Sequence, residues 1–86
     1  MPRISRFFGV LISMNYNDHA PPHFHVRYGG QRATVSIDDL TILAGWLPPR
    51  VLGLVVEWAA LHREELAESW NRSRQRLPLE RVNPLE

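Results

Sequence analysis

The sequence predicts an α+β domain in which an antiparallel sheet of about four strands, joined as hairpins, is packed by one or two C-terminal α-helices. Three observations carry this prediction. Apolar and polar residues alternate from His23 to Tyr28 and again towards Ile37, the period of half-buried strands. Gly29-Gly30 separates these two runs, where a two-residue hairpin turn needs positive φ. Val51, Val55, Trp58, His62, Leu66 and Trp70 then recur at spacings of three and four, the stripe of an amphipathic helix.

In chain order, Phe7 to Tyr16 reads as a first strand with Phe8, Val10, Ile12 and Met14 on one face. Asn15-Tyr16-Asn17-Asp18 carries turn chemistry, and Pro21-Pro22 imposes extended or turn geometry. His23 to Tyr28 and Gln31 to Ile37 form the hairpin. A two-residue turn at 29–30 sets its register: Tyr28 opposite Gln31, Arg27 opposite Arg32, Val26 opposite Ala33, His25 opposite Thr34, Phe24 opposite Val35 and His23 opposite Ser36. One face is then apolar, and the outer face carries His23, His25, Arg27, Arg32, Thr34 and Ser36. Asp38-Asp39 reads as a turn, Leu40 to Ala44 as a short fourth strand ended by Gly45, and Pro48-Pro49 as a helix start. The helical pattern from Arg50 to Arg76 is long for so small a domain, which predicts a break near His62-Arg63. Residues 1–76 are read as one domain and 77–86 as an extended tail, able to dock through Leu79, Val82 and Leu85.

The chain has 86 residues, a hydrophobic fraction of 44%, a formal net charge of +1 and no cysteine. A core of this size is thin, so a homodimer or a partner would help it. No apolar run approaches the roughly 20 residues needed to cross a bilayer, and the start lacks a signal-peptide pattern. A cytoplasmic protein with no disulfide framework is expected. The charge is unevenly placed: Arg3, Arg6, Arg27 and Arg32 stand against Asp18 alone in the first 36 residues, whereas the helical half is acidic. Every one of the ten basic residues is Arg, whose fork matches phosphate bidentately, although base composition of the gene gives the same bias.

The stretches Pro2-Arg3-Ile4-Ser5-Arg6-Phe7-Phe8-Gly9, Asn17-Asp18-His19-Ala20-Pro21-Pro22-His23-Phe24-His25 and Leu47-Pro48-Pro49-Arg50, with Glu57 to Leu66 and Trp70, resemble the small bacterial family termed domain of unknown function 4160. The resemblance spans nearly the whole chain and brings no reaction and no catalytic residues. It implies a small protein partner encoded nearby, in gene pairs similar to toxin–antitoxin modules, and by that association a link to RNA.

Three readings of the histidine segment follow from the residues. In the first, His19, His23 and His25 act as acid and base in metal-independent RNA cleavage, Arg27 and Arg32 hold the phosphate, and Asp18, Thr34 and Ser36 support them. No cofactor is then required. In the second, His23 and His25 bind a metal with His19 or Asp18 as third ligand. In the third they are structural, bonded to Ser36, Thr34 and backbone, and the outer face is free to bind a partner as an antitoxin or adaptor would. Trp58 and Trp70 are read as core anchors, Trp46 as either lid or interface, and His62 as a core-edge residue.

Overall fold

The computed structural model describes residues 2–86; Met1, inside the predicted domain span, lies outside the described residues. Five strands, β1 (Arg3–Phe7), β2 (Val10–Ser13), β3 (His23–Tyr28), β4 (Gln31–Ser36) and β5 (Ile42–Gly45), form one antiparallel sheet in sequence order. Two helices follow, α1 (Pro49–Leu61) and α2 (Arg63–Arg74). Among the described residues no helix is long and apolar enough to cross a membrane.

The six β3–β4 pairings are those set by the Gly29-Gly30 turn. Only Gly29 of the pair takes positive φ, at 56°, so one left-handed residue is sufficient to reverse the chain there. The predicted first strand is corrected to a hairpin. Phe8 and Gly9 form its two-residue turn with φ of 47° and 79°, and Phe8 lies exposed instead of on the core face. A bulge at Ile4 lets Arg3 and Arg6 share the outer face while Ser5 and Phe7 turn inward. The last strand begins two residues later than expected, after Leu40 takes a left-handed conformation.

Phe24, Val26, Ala33, Val35, Val10 and Ile12 are buried on one side of the sheet, and α1 covers them with Val51, Val55 and Trp58. The Trp58 ring packs against Phe7 and Phe24, with centroids 5.4 and 5.9 Å away. Leu66 and Trp70 carry the stripe onto α2 past the break at His62, whose φ of −120° ends α1. Val82 of the tail is buried in the same core, its N–H donates to Ile4 O at 2.7 Å, and the Trp58 indole donates to Asn83 O at 2.8 Å. The extended tail is therefore part of the packing.

Candidate functional site

The site forms where the β2–β3 loop returns to the sheet. His23 and His25 are two apart on β3, so their side chains leave the same face. The loop is fixed by three contacts: Asn17 N–H donates to Ser73 O of α2 at 3.0 Å, Ile37 N–H donates to Pro22 O at 3.0 Å, and the His19 N–H donates to Asp18 Oδ1 at 2.8 Å. The Ala20–Pro21 peptide is cis. Asp18 Oδ2 lies 2.9 Å from His23 Nε2 and 3.3 Å from His25 Nε2.

The outer atoms of both rings are engaged as well. His23 Nδ1 lies 2.7 Å from Pro21 O, and a carbonyl can only accept, so Nδ1 carries a proton and donates. Nε2 is then the nitrogen left to meet Asp18, and a proton or a metal ion between them resolves the two facing lone pairs. His25 Nδ1 lies 3.4 Å from Thr34 Oγ1, while the Asn15 amide nitrogen lies 3.3 Å from His25 Nε2 and 3.4 Å from Asp18 Oδ2. The rings stand edge to face with centroids 5.1 Å apart. Burial pushes the Asp18 pKa up, but the His19 N–H, the hydrogen bonds of His23 and His25, and the His23 charge outweigh it. The carboxyl is held well below the usual carboxylate range.

One ligand atom each from Asp18, His23 and His25 lie within 4.8 Å of one another. Ligands bonded at about 2.0–2.2 Å to a tetrahedral ion stand about 3.3–3.5 Å apart, so the two spacings from Asp18 to the imidazoles need only a small expansion to admit one. Two imidazoles and a carboxylate, each imidazole oriented through its other nitrogen, are a donor set suited to zinc or a neighbouring divalent transition metal.

The candidate residues divide into three groups. Asp18, His23 and His25 are brought together, with Thr34 behind His25. The His19 side chain is exposed and stays outside the cluster, contributing only its backbone N–H. Ser36 is buried opposite His23, yet its hydroxyl serves Asp39. Trp70 of α2 is what covers His23, with ring centroids 5.1 Å apart. The two histidines therefore differ in access: the His23 side chain is 10% exposed and that of His25 is 27%. His62 does not join them; its ring packs on Trp58 and bonds Glu65 Oε1 at 2.7 Å.

Beyond His25 the outer face opens into a groove of about 550 Å³, lined among others by Arg3, Ser13, Asn15, His25, Arg27 and Arg32. Arg27 and Arg32 face each other across β3 and β4, as the register requires. Sequence reasoning missed Asn15, Arg3 and Arg6. The signal for the arginines was their period-three spacing, which only the Ile4 bulge reconciles with one face.

Comparison with curated proteins and with solved structures gave no match. The family model described as domain of unknown function (DUF4160) matches residues 9–71, which include the loop, both histidines, the Arg27/Arg32 pair and most of both helices, and the chain belongs to that family.

Proposed function

We propose that the protein holds one divalent transition-metal ion on Asp18, His23 and His25 and uses it for hydrolysis. The observation that carries this reading is the convergence of the three ligand atoms, with both Nε2 atoms turned inward by contacts at Nδ1. Three protein ligands leave a position for water or substrate, the arrangement of catalytic rather than structural sites. An ion held there supplies Lewis acidity and a water ionised near neutral pH. Asn15 is placed to hydrogen-bond a group in the open position. Arg27 and Arg32 oppose cation binding, and the Asp18 carboxylate, 2.9 and 3.3 Å from the two Nε2 atoms, favours it.

The metal-independent ribonuclease reading uses the same imidazoles as acid and base. His25 on the groove favours it, while His23, buried under Trp70 and engaged at both nitrogens, is poorly placed to exchange a proton with substrate. The geometry supports the metal reading better. The family resemblance adds a setting in which this activity belongs to one member of a two-protein, toxin–antitoxin-like module.

Metal analysis and zinc titration of protein purified without an affinity tag test the proposal. One ion per chain is expected, with binding lost in His23→Ala and in His25→Ala. Substoichiometric metal, or undiminished binding in both variants, overturns it.

A further inference from the structure

The open side of the sheet carries an arrangement that the metal site does not use. Across β1 to β4 the registers align Arg6 with Leu11, Leu11 with Arg27 and Arg27 with Arg32. The neighbouring row aligns Arg3 with Ser13, Ser13 with His25 and His25 with Thr34. Strands stand about 4.8 Å apart, so the first row is a basic band about 14 Å long, and the second ends at the metal site.

Four arginines thus share one sheet face. All four are exposed, and none pairs with a carboxylate among the described residues. The groove of about 550 Å³ and a second hollow of about 280 Å³ share Arg3, Leu11 and Arg27, and neither is lined by an acidic side chain. Arg27 directly opposite Arg32 is a repulsive pair that an anion between them would relieve.

We infer that this face binds the phosphate backbone of a single-stranded nucleic acid and lays one phosphodiester beside Asp18, His23 and His25. The strand-binding half stands on the arginine rows; the delivery half rests on the metal reading. Guanidinium forks fit phosphate oxygens bidentately, and a row of them fits a chain of phosphates. The surface is concave, whereas reading a duplex groove needs a protruding helix or ribbon. Leu11 is the sole apolar side chain in the Arg6-to-Arg32 row, and the one ring in either row, the His25 imidazole, is engaged by Asp18 and Thr34. Backbone recognition with little sequence preference follows. Hydrolysis would join the water oxygen to phosphorus, break the P–O bond to one sugar oxygen, and place one of the water's protons on that oxygen while the other stays on, or ionises from, the new phosphate monoester.

Fluorescence anisotropy with a labelled 12-nucleotide RNA, the same sequence as DNA, and the duplex tests binding, all in chelator so that no metal contributes. The expected result is single strands bound more tightly than duplex. The slope of log affinity against log salt should approach about −2.8 if all four arginines meet phosphates, at about −0.7 per contact. Arg27→Ala/Arg32→Ala should halve that slope, and Arg3→Ala/Arg6→Ala should do the same; unchanged thermal melts verify that both remain folded. Equal slopes in the native and both double variants, or tighter duplex binding, overturn the inference. The RNA and DNA arms decide whether a 2′-hydroxyl contributes. Cleavage is then measured after adding zinc or manganese: binding without cleavage leaves the strand site standing and removes the hydrolytic reading, and cleavage without arginine-dependent binding does the reverse.

Discussion

Asp18→Asn separates charge from shape at the site. The amide keeps an oxygen for the His19 N–H but removes the anion that faces both imidazoles. Hydrogen bonds to charged groups contribute about 1.5–3 kcal/mol; with the Asp18 side chain 22% exposed, a loss of about 1–2 kcal/mol is expected in the metal-free protein. For a domain of this length that lowers Tm by about 4–16 °C. The pH sign follows from the lowered Asp18 pKa. The carboxylate's stabilisation is present above the unfolded value, about 3.9, and is lost as pH falls through the lower folded value. The gap between native and variant should accordingly persist from pH 7 to about pH 4 and close below it. Zinc adds the decisive measurement. At a free concentration 100 times the native Kd it stabilises by about 2.7 kcal/mol, or about 11–22 °C in Tm. If losing the anionic ligand weakens binding by about 100-fold, the same concentration stabilises the variant by about 0.4 kcal/mol, or about 2–3 °C. Differential scanning calorimetry of both proteins, with and without zinc, reads these shifts against each protein's own metal-free baseline. A full upward shift in Asp18→Asn would refute its role as ligand, and no shift in the native protein would refute the metal reading altogether.

Gly45→Ala should cost about 2–3 kcal/mol, because Gly45 has φ of 83° and a Cβ there would collide with Arg32 O, the acceptor for Trp46 N–H. An unchanged urea midpoint would show that β4 and β5 do not approach so closely. Removing residues 77–86 should cost about 3–5 kcal/mol, from the buried Val82 and the orphaned Trp58 indole N–H; equal stability after truncation would make the tail an appendage. Phe8→Asn should raise stability by about 0.5–1 kcal/mol, since Asn tolerates the left-handed backbone that an exposed Phe occupies at a cost. A loss instead, read by the same urea titration, would mean that the edge contact of the Phe8 ring with Phe7 outweighs the backbone cost.

What could be read from sequence depended on whether a signal was local. The β3–β4 register follows from two glycines and the strict two-residue period, and with it the shared face of His23, His25, Arg27 and Arg32. The helix break at His62 followed from length alone. The β1–β2 hairpin was illegible because its turn is Phe8-Gly9, and Phe is not a residue that favours positive φ. The bulge at Ile4 hid the shared face of Arg3 and Arg6, since strict alternation puts residues three apart on opposite sides. Whether Asp18 or His19 joins the two strand histidines stays open in the sequence because loop direction is not encoded in spacing. The contacts that decide it, Asn17 to Ser73 and His23 to Trp70, join residues 47 or more positions apart.

The two ends of the outer face have opposite solvation, and this bears on how they would work together. At the His23 end, Trp70 covers the ring and the Asn17–Ser73 bond anchors the loop, so the facing His23 and Asp18 side chains are partly withdrawn from water. Electrostatic interactions strengthen there, for a cation as for a proton. At the other end Arg27 and Arg32 are exposed to solvent, where each pairing with phosphate is individually weak and affinity accrues only over several contacts. Under the proposed reading, the exposed end supplies binding that salt can release, and the covered end supplies chemistry that salt barely screens. His25 belongs to both, as a member of the Asp18–His23–His25 cluster and a wall of the groove. Its replacement should therefore lower metal affinity and strand cleavage together, whereas replacing the arginines should weaken strand binding without lowering metal affinity.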